Sequence, residues 1–351
     1  MSSPDLAGKV AIVTGASSKN GIGWNIAHKL AINGAKVYIH ARDINKAENA
    51  IKEMEGASPQ LKESGLLHPF VADFANFPSV KKAAEQFLEK ESRLDVLVNN
   101  AAVPVTAFAN DKTPDGVSVP FAVNYLSAYL LTTTLLPLLK NTSKTFPGTR
   151  VVTTTSNAHA LLPSGTQLAS LADFNQELSH PNERMANLLR YGQGDSKLVD
   201  AIIMLNTYPG LSKLANILFA KELQRRFDAG GVKAISLAVH PGAVATGKSL
   251  PCLSLLQILI LVFSSLTDGA RQFFESKAEM AHFGAVSPAE GALTSLVAAT
   301  DPVVWAERAK YSGAYLVPPG VVEQPGDDAK SPELARSLWT ASEEVLKKLL
   351  H

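Results

Sequence analysis

The chain has 351 residues, 33 Lys and Arg against 32 Asp and Glu, and a formal net charge of +1. That balance, with both signs mixed along the chain, excludes an electrostatic grip on nucleic acid. A single cysteine, Cys252, excludes an internal disulfide framework and fits a reducing compartment. With 46% apolar residues, the chain is long enough to bury a large core without covalent staples.

The N-terminus, MSSPDLAGKVAIVTG, carries neither an apolar signal core nor an Arg-rich amphipathic run, so an unprocessed, cytoplasmic protein is expected. Short β-rich runs then alternate with helix-length segments. KVAIVTG (9–15) reads as a buried strand running into glycines. A helix follows over 24–33, closed by Gly34, then a second strand over 36–41 and a helix over 45–55. Residues 67–72 give a third strand, 79–91 a helix, 95–98 a short fourth strand and 119–139 a long helix. Strands five to seven fall at 149–155, 233–239 and 315–317. This alternation predicts an α/β fold: a doubly wound, mostly parallel, seven-stranded sheet with helices on both faces. No repeat or linker divides the sequence. One domain over 1–351 is expected, with insertions near 161–190, 194–211 and 251–286.

The first βα turn is TGASSKNGIG, with Gly15 leaving the strand and Gly21 and Gly23 opening the helix. Glycines there let the backbone approach a pyrophosphate, and the helix N-terminus offers free N–H groups and a positive dipole end. The turn resembles the TGxxxGxG loop of the short-chain dehydrogenase/reductases, enlarged by two residues, read as Lys19 and Asn20. The resemblance continues in order. NNAA (99–102) is similar to the family's NNAG, and FAVNYLSAYLLT around Asn124 to its asparagine helix. RVVTTTSNAH (150–159) resembles its serine strand end, and HPGAVAT (240–246) its PG motif. YGQ, SKLANILFAKEL and the late SGAYL are most similar to the retinol-dehydrogenase-like and WW-domain-oxidoreductase-like branch. The family implies a Rossmann-like fold and a nicotinamide cofactor. It places Gly15, Ser17, Gly21, Ile22 and Gly23 at the pyrophosphate, where the inserted Lys19 would add a cation. It also places Asp73 at the adenine, Asn100 and Ala101 at the adenosine ribose, and Val244 and Thr246 at the carboxamide. No metal is implied.

The second strand ends IHARD, where an NAD enzyme typically presents a carboxylate to the ribose hydroxyls. Here the first charge is Arg42, whose guanidinium suits a 2′-phosphate. NADP(H) is therefore expected, with NAD(H) the alternative because Asp43 stands beside it.

Carbonyl reduction needs a proton donor as well as a hydride. A lysine ammonium close to a tyrosine lowers the phenol's pKa, and positions i and i+4 of a helix bring both to one ligand. By resemblance the lysine is Lys213, which also holds the nicotinamide ribose. Ser156 is the hydroxyl donor to the carbonyl oxygen, and Asn124 anchors a proton-relaying water. The tyrosine is displaced. RYGQ and SKLANILF match the family as two halves, but Tyr191 and Lys213 stand 22 positions apart across residues 194–211. Either those 18 residues bulge out as a loop and return Tyr191 to its place, or they are non-coding sequence retained in a gene model. Tyr208 is the fallback donor, just ahead of a helix that would begin around Pro209.

The longest apolar run, LSLLQILILVFSSL (253–266), is too short to span a bilayer. A buried or lid helix and an apolar flap on a greasy substrate or a membrane surface are both open. The expected activity is NADP-dependent oxidoreduction between a carbonyl and an alcohol on a hydrophobic small molecule, of the kind secondary metabolism supplies. A cofactor-binding protein without catalysis is the alternative. Such proteins commonly form homo-oligomers.

Overall fold

The computed structural model describes residues 4–103, 111–176, 196–242, 244 and 286–350; of residue 161 and residues 196–209 it describes the backbone alone. Its frame is an eight-stranded sheet in the order β3-β2-β1-β4-β5-β6-β7-β8. The strands are β1 (Val10–Val13), β2 (Lys36–Ala41), β3 (Leu67–Val71), β4 (Val96–Asn99), β5 (Thr149–Thr154), β6 (Ala234–Val239), β7 (Tyr315–Val317) and β8 (Val321–Glu323). All neighbouring pairs are parallel except β7–β8. The strand order reverses between β1 and β4, which opens a crevice at the carboxyl ends of the strands.

Central strands are buried on both faces, in keeping with their mostly apolar text. One face is covered by α1 (Ile22–Ile32) and α2 (Ile44–Ala57). The other is covered by α3 (Phe77–Lys90) and α4 (Val119–Thr145), and by α5 (Ser196–Ala229). Helix α6 (Leu293–Thr300) returns to the first face, and α7 (Pro332–Leu349) closes the second. Helix α4 is long and apolar enough to cross a membrane, but 78% of its most apolar window is buried, so its hydropathy is that of a core helix.

Two elements differ from the expected count. The sheet has eight strands, not seven, because Val321–Glu323 turns back antiparallel on β7 directly after Gly320. That strand is three residues long with Val321 56% exposed, so it lacks the buried apolar signature that marks the others. Helix α7 is the second: Ser331 caps it, Pro332 opens it, and Leu338, Trp339, Val345 and Leu346 line its buried side. Trp339 stacks on Phe219 at 5.9 Å and Arg226 covers its ring at 4.1 Å.

The segment 196–211 is also not a loop. Helix α5 runs without a break from Ser196 through Pro209 to Ala229. The interposed text therefore extends the helix backwards, where a bulge or a helix start at Pro209 was expected. Gly210 lets this helix pass close to the turn after β5. A Cβ there would lie 2.8 Å from the Ala158 carbonyl oxygen.

Candidate active site

The sequence-predicted residues within the described set gather at the carboxyl ends of β1, β2, β3, β4, β5 and β6. The β1 turn is built for close approach. Gly15 has φ +67°, and a Cβ on it would lie 2.8 Å from the Cα of Ala101. A Cβ on Gly23 would fall 2.5 Å from both the Gly15 carbonyl oxygen and the Asn100 side-chain nitrogen. Thr14 pins the two strand ends together: its hydroxyl accepts the N–H groups of Asn100 (2.8 Å) and Ala101 (2.9 Å). Asn100 Nδ2 donates to the Thr14 carbonyl at 2.9 Å. Ser17 is half-buried and Lys19 exposed within the turn, while Gly21, with no side chain, is the N-cap residue of α1. Ile22, Gly23 and Trp24 then begin the helix, where N–H groups have no intrahelical acceptor. A turn that only Gly fits, ahead of those free donors, fits a bound pyrophosphate.

At the end of β2 the two neighbouring charges have separate tasks. Asp43 caps α2, accepting the Lys46 N–H at 2.9 Å and pairing with its ammonium at 3.0 Å. Its carboxyl is held below the usual range, first by that backbone hydrogen bond. Arg42 is exposed and makes no hydrogen bond or ion pair among the described residues. Asp73, after β3, uses one carboxylate oxygen to accept the Ala75 N–H at 3.0 Å and is otherwise exposed.

The catalytic candidates converge between β5 and α5. Ser156 caps the turn Asn157–Leu161, its oxygen accepting the Ala158 N–H at 3.3 Å, which leaves its proton free to donate. Lys213 Nζ donates to the Thr154 carbonyl at 3.3 Å, and the Thr155 hydroxyl donates to the Lys213 carbonyl at 2.7 Å. The ammonium is enclosed, and burial alone brings its pKa down to about 8. Asn124 lies in a π-helical turn of α4, Ala122–Leu126, a feature common at functional sites. Its Oδ1 accepts the Val103 N–H at 2.8 Å. Val244, past β6, pairs with Val286 and fills the space a Cβ on Gly291 would need.

Tyr191 and Thr246 lie outside the described residues, as does the apolar run 253–266. Tyr208 lies inside α5, not ahead of it, five positions before Lys213. At about 100° per residue it stands roughly 140° around the helix from the lysine. The position one turn before Lys213 is Pro209, which has no hydroxyl.

Three residues of the site were not read from the sequence. Asn216 Nδ2 joins the Asn124 carbonyl (3.2 Å) to the Thr154 carbonyl (2.9 Å), so it fixes α4 and β5 beside Lys213. It stands three positions after Lys213 in SKLAN, and that spacing was its only signal. His159 Nδ1 donates to the Ser156 carbonyl at 2.7 Å, and its Nε2 accepts the Gly326 N–H at 3.0 Å. His40 is buried behind the β1 turn. Burial holds His40 neutral, with a pKa of about 4, and lowers that of His159 too.

A doubly wound sheet with a glycine turn at β1, a half-buried lysine beside β5 and a serine at that strand's end defines a dinucleotide-binding oxidoreductase class. Comparison with known proteins narrows it. Residues 9–166 match the family model described as short chain dehydrogenase. The chain is 35% identical over 346 residues to a short-chain dehydrogenase/reductase of Armillaria gallica, covering 98% of this chain and 94% of that one. It is 34% identical over 270 residues to retinol dehydrogenase 12 of Mus musculus, covering 76% of this chain and 72% of that one. Among solved structures, RhlG of Pseudomonas aeruginosa in its NADP active-site complex superposes with a TM-score of 0.56 at 22% identity. It covers 91% of this chain and 98% of that one, a likeness of fold. The chain belongs to the short-chain dehydrogenase/reductase family, on its retinol-dehydrogenase-like branch. That family uses NAD(P)(H) and interconverts carbonyls and alcohols.

Proposed function

We propose that this protein is an NADP(H)-dependent oxidoreductase acting on a carbonyl or secondary alcohol of a hydrophobic small molecule, such as a lipid, terpenoid or polyketide-derived carbonyl of secondary metabolism. The observation that carries the reading is the division of labour after β2. Asp43 is consumed as a helix cap, and Arg42 makes no hydrogen bond or ion pair among the described residues, which leaves its guanidinium for a 2′-phosphate. NADP(H), when bound, supplies or accepts the hydride. The β1 turn and the start of α1 hold its pyrophosphate, and Lys213 its nicotinamide ribose. Ser156 donates its hydroxyl proton toward the carbonyl oxygen. A tyrosine, Tyr191 or its fallback Tyr208, gives the proton to that oxygen, and Lys213, protonated near neutral pH, favours the phenolate. Asn124, held by Asn216, anchors the water that restores the proton. The protein works in the cytoplasm as one domain, with a homo-oligomer and a peripheral membrane contact through 253–266 as accompanying proposals.

The second reading is a nucleotide-binding protein without turnover. It is favoured by one observation: Pro209 occupies the helical position where the lysine's partner hydroxyl belongs. NADPH oxidation across a broad carbonyl panel separates the two. Turnover that Tyr191→Phe abolishes, with NADPH still bound, supports the enzyme and its donor. Loss in Tyr208→Phe alone makes Tyr208 the donor. Cofactor binding with no turnover on any carbonyl decides for the binding protein.

A further inference from the structure

His40 performs a task that neither the glycine turn nor the nucleotide-facing residues explain. It is 3% exposed at the end of β2 and reaches the ends of both neighbouring strands, β1 and β3. Its Nδ1 lies 2.8 Å from the Gly15 nitrogen. A backbone N–H can only donate, so Nδ1 is the acceptor and the ring proton sits on Nε2. That proton then points at the Ala72 carbonyl, 3.0 Å away, so the two contacts require one and the same tautomer. The His40 main-chain carbonyl accepts the next N–H of the turn, from Ala16, at 3.1 Å. One residue thus holds two successive amides of the β1 turn and the end of β3. The ring is wedged against Phe74 at 4.2 Å between centroids.

Gly15 is the residue whose φ of +67° bends the chain out of β1. In that conformation its N–H turns into the protein, where an unpartnered donor is costly. An apolar residue at position 40 would leave it so, and the turn would relax toward another path.

We infer that His40 is the positioning residue for the pyrophosphate turn: it fixes Gly15 from behind and ties the turn to the Ala72–Phe74 wall. This rests on the reading that the turn binds a dinucleotide, so the test begins with the wild-type protein.

NADPH affinity is measured by fluorescence titration for the wild type, His40→Asn, His40→Gln and His40→Leu, each with a melting temperature. Asn carries its oxygen on the atom that bears Nδ1, so it keeps the acceptor for Gly15 and loses the link to Ala72. Gln reaches Ala72 and loses the acceptor. The assignment predicts NADPH affinity within about 3-fold of wild type for His40→Asn. It predicts a loss of at least about 10-fold for His40→Gln and His40→Leu, for an unmet buried donor. The melting temperatures of Asn and Gln should fall together. Equal affinity in Asn and Gln, whether both retained or both lost with the melting temperature, overturns the assignment. If His40→Leu does not fold, the Asn and Gln pair still decides. Failure of the wild type itself to bind NADPH overturns the dinucleotide reading, and the assignment with it.

Discussion

Replacing Lys213 with Met asks whether the enclosed ammonium is held against its own desolvation. Its pKa falls from 10.5 to about 8. At about 1.4 kcal/mol per unit, the folded protein bears a penalty of roughly 3 kcal/mol while the lysine is charged. Met keeps the apolar stem and removes both the charge and the long hydrogen bond to Thr154, which contributes about 1 kcal/mol. At neutral pH the variant should therefore be the more stable protein, by roughly 2 kcal/mol. The sign with pH follows from linkage. Between about 8 and 10.5 the unfolded chain holds the proton more tightly than the folded one, so wild-type stability rises through that window. The penalty is felt in full below about pH 8 and is gone above pH 10.5. Urea melts of both proteins across the window, read as variant minus wild type, remove the other titrating groups common to both. The difference should pass from about +2 kcal/mol near neutrality to about −1 kcal/mol at the alkaline end. A difference that stays constant with pH would refute the desolvated ammonium, and with it the idea that stability is given up at this position for function.

Three further outcomes are expected. Arg42→Ala should weaken NADPH by roughly 10-fold and leave NADH nearly unchanged, since it removes charge-assisted bonds to a phosphate that only NADPH carries; parallel titrations check this. Gly23→Ala should destabilise the protein by about 1–3 kcal/mol, because the new methyl meets the Gly15 carbonyl and the Asn100 amide at 2.5 Å; thermal melts read it, and a neutral substitution would mean the turn packs more loosely. Deleting residues 194–211 puts Tyr191 four positions before Lys213 and should raise carbonyl-dependent NADPH oxidation by on the order of 10²-fold. Transcript reads that lack those codons would give the same protein naturally, and uniform reads through them would discard a retained non-coding segment.

Most of the frame was legible because its signals are local. KVYIHA and YLV are strands over the expected residues, since β-branched and aromatic text bounded by glycine leaves little choice. The nucleotide turn was legible because glycine is there for a steric reason. The helix through 196–211 was not. Pro209 read as the start of a helix, yet an uninterrupted helix carries it and Gly210 in its interior: Gly210 is where α5 crosses the Ser156 turn, so tertiary packing overrides propensity. Strand β8 and helix α7 lie beyond the family text that guided the reading. Ser331, Pro332 and Glu333 form a helix start in their own right. His40 was passed over because a lone histidine in a strand ordinarily reports burial. Its role lies in two partners, Gly15 and Ala72, that are distant in sequence and meet only in the fold.

The central claim is that a phosphorylated dinucleotide lies across the β1–β4 crevice. Titration calorimetry of NADPH and of NADH into the folded wild-type protein tests it most directly. Saturable heat with NADPH at one site per chain, and markedly weaker binding of NADH, is the predicted result. Well-folded protein that gives no heat with either nucleotide would contradict the account.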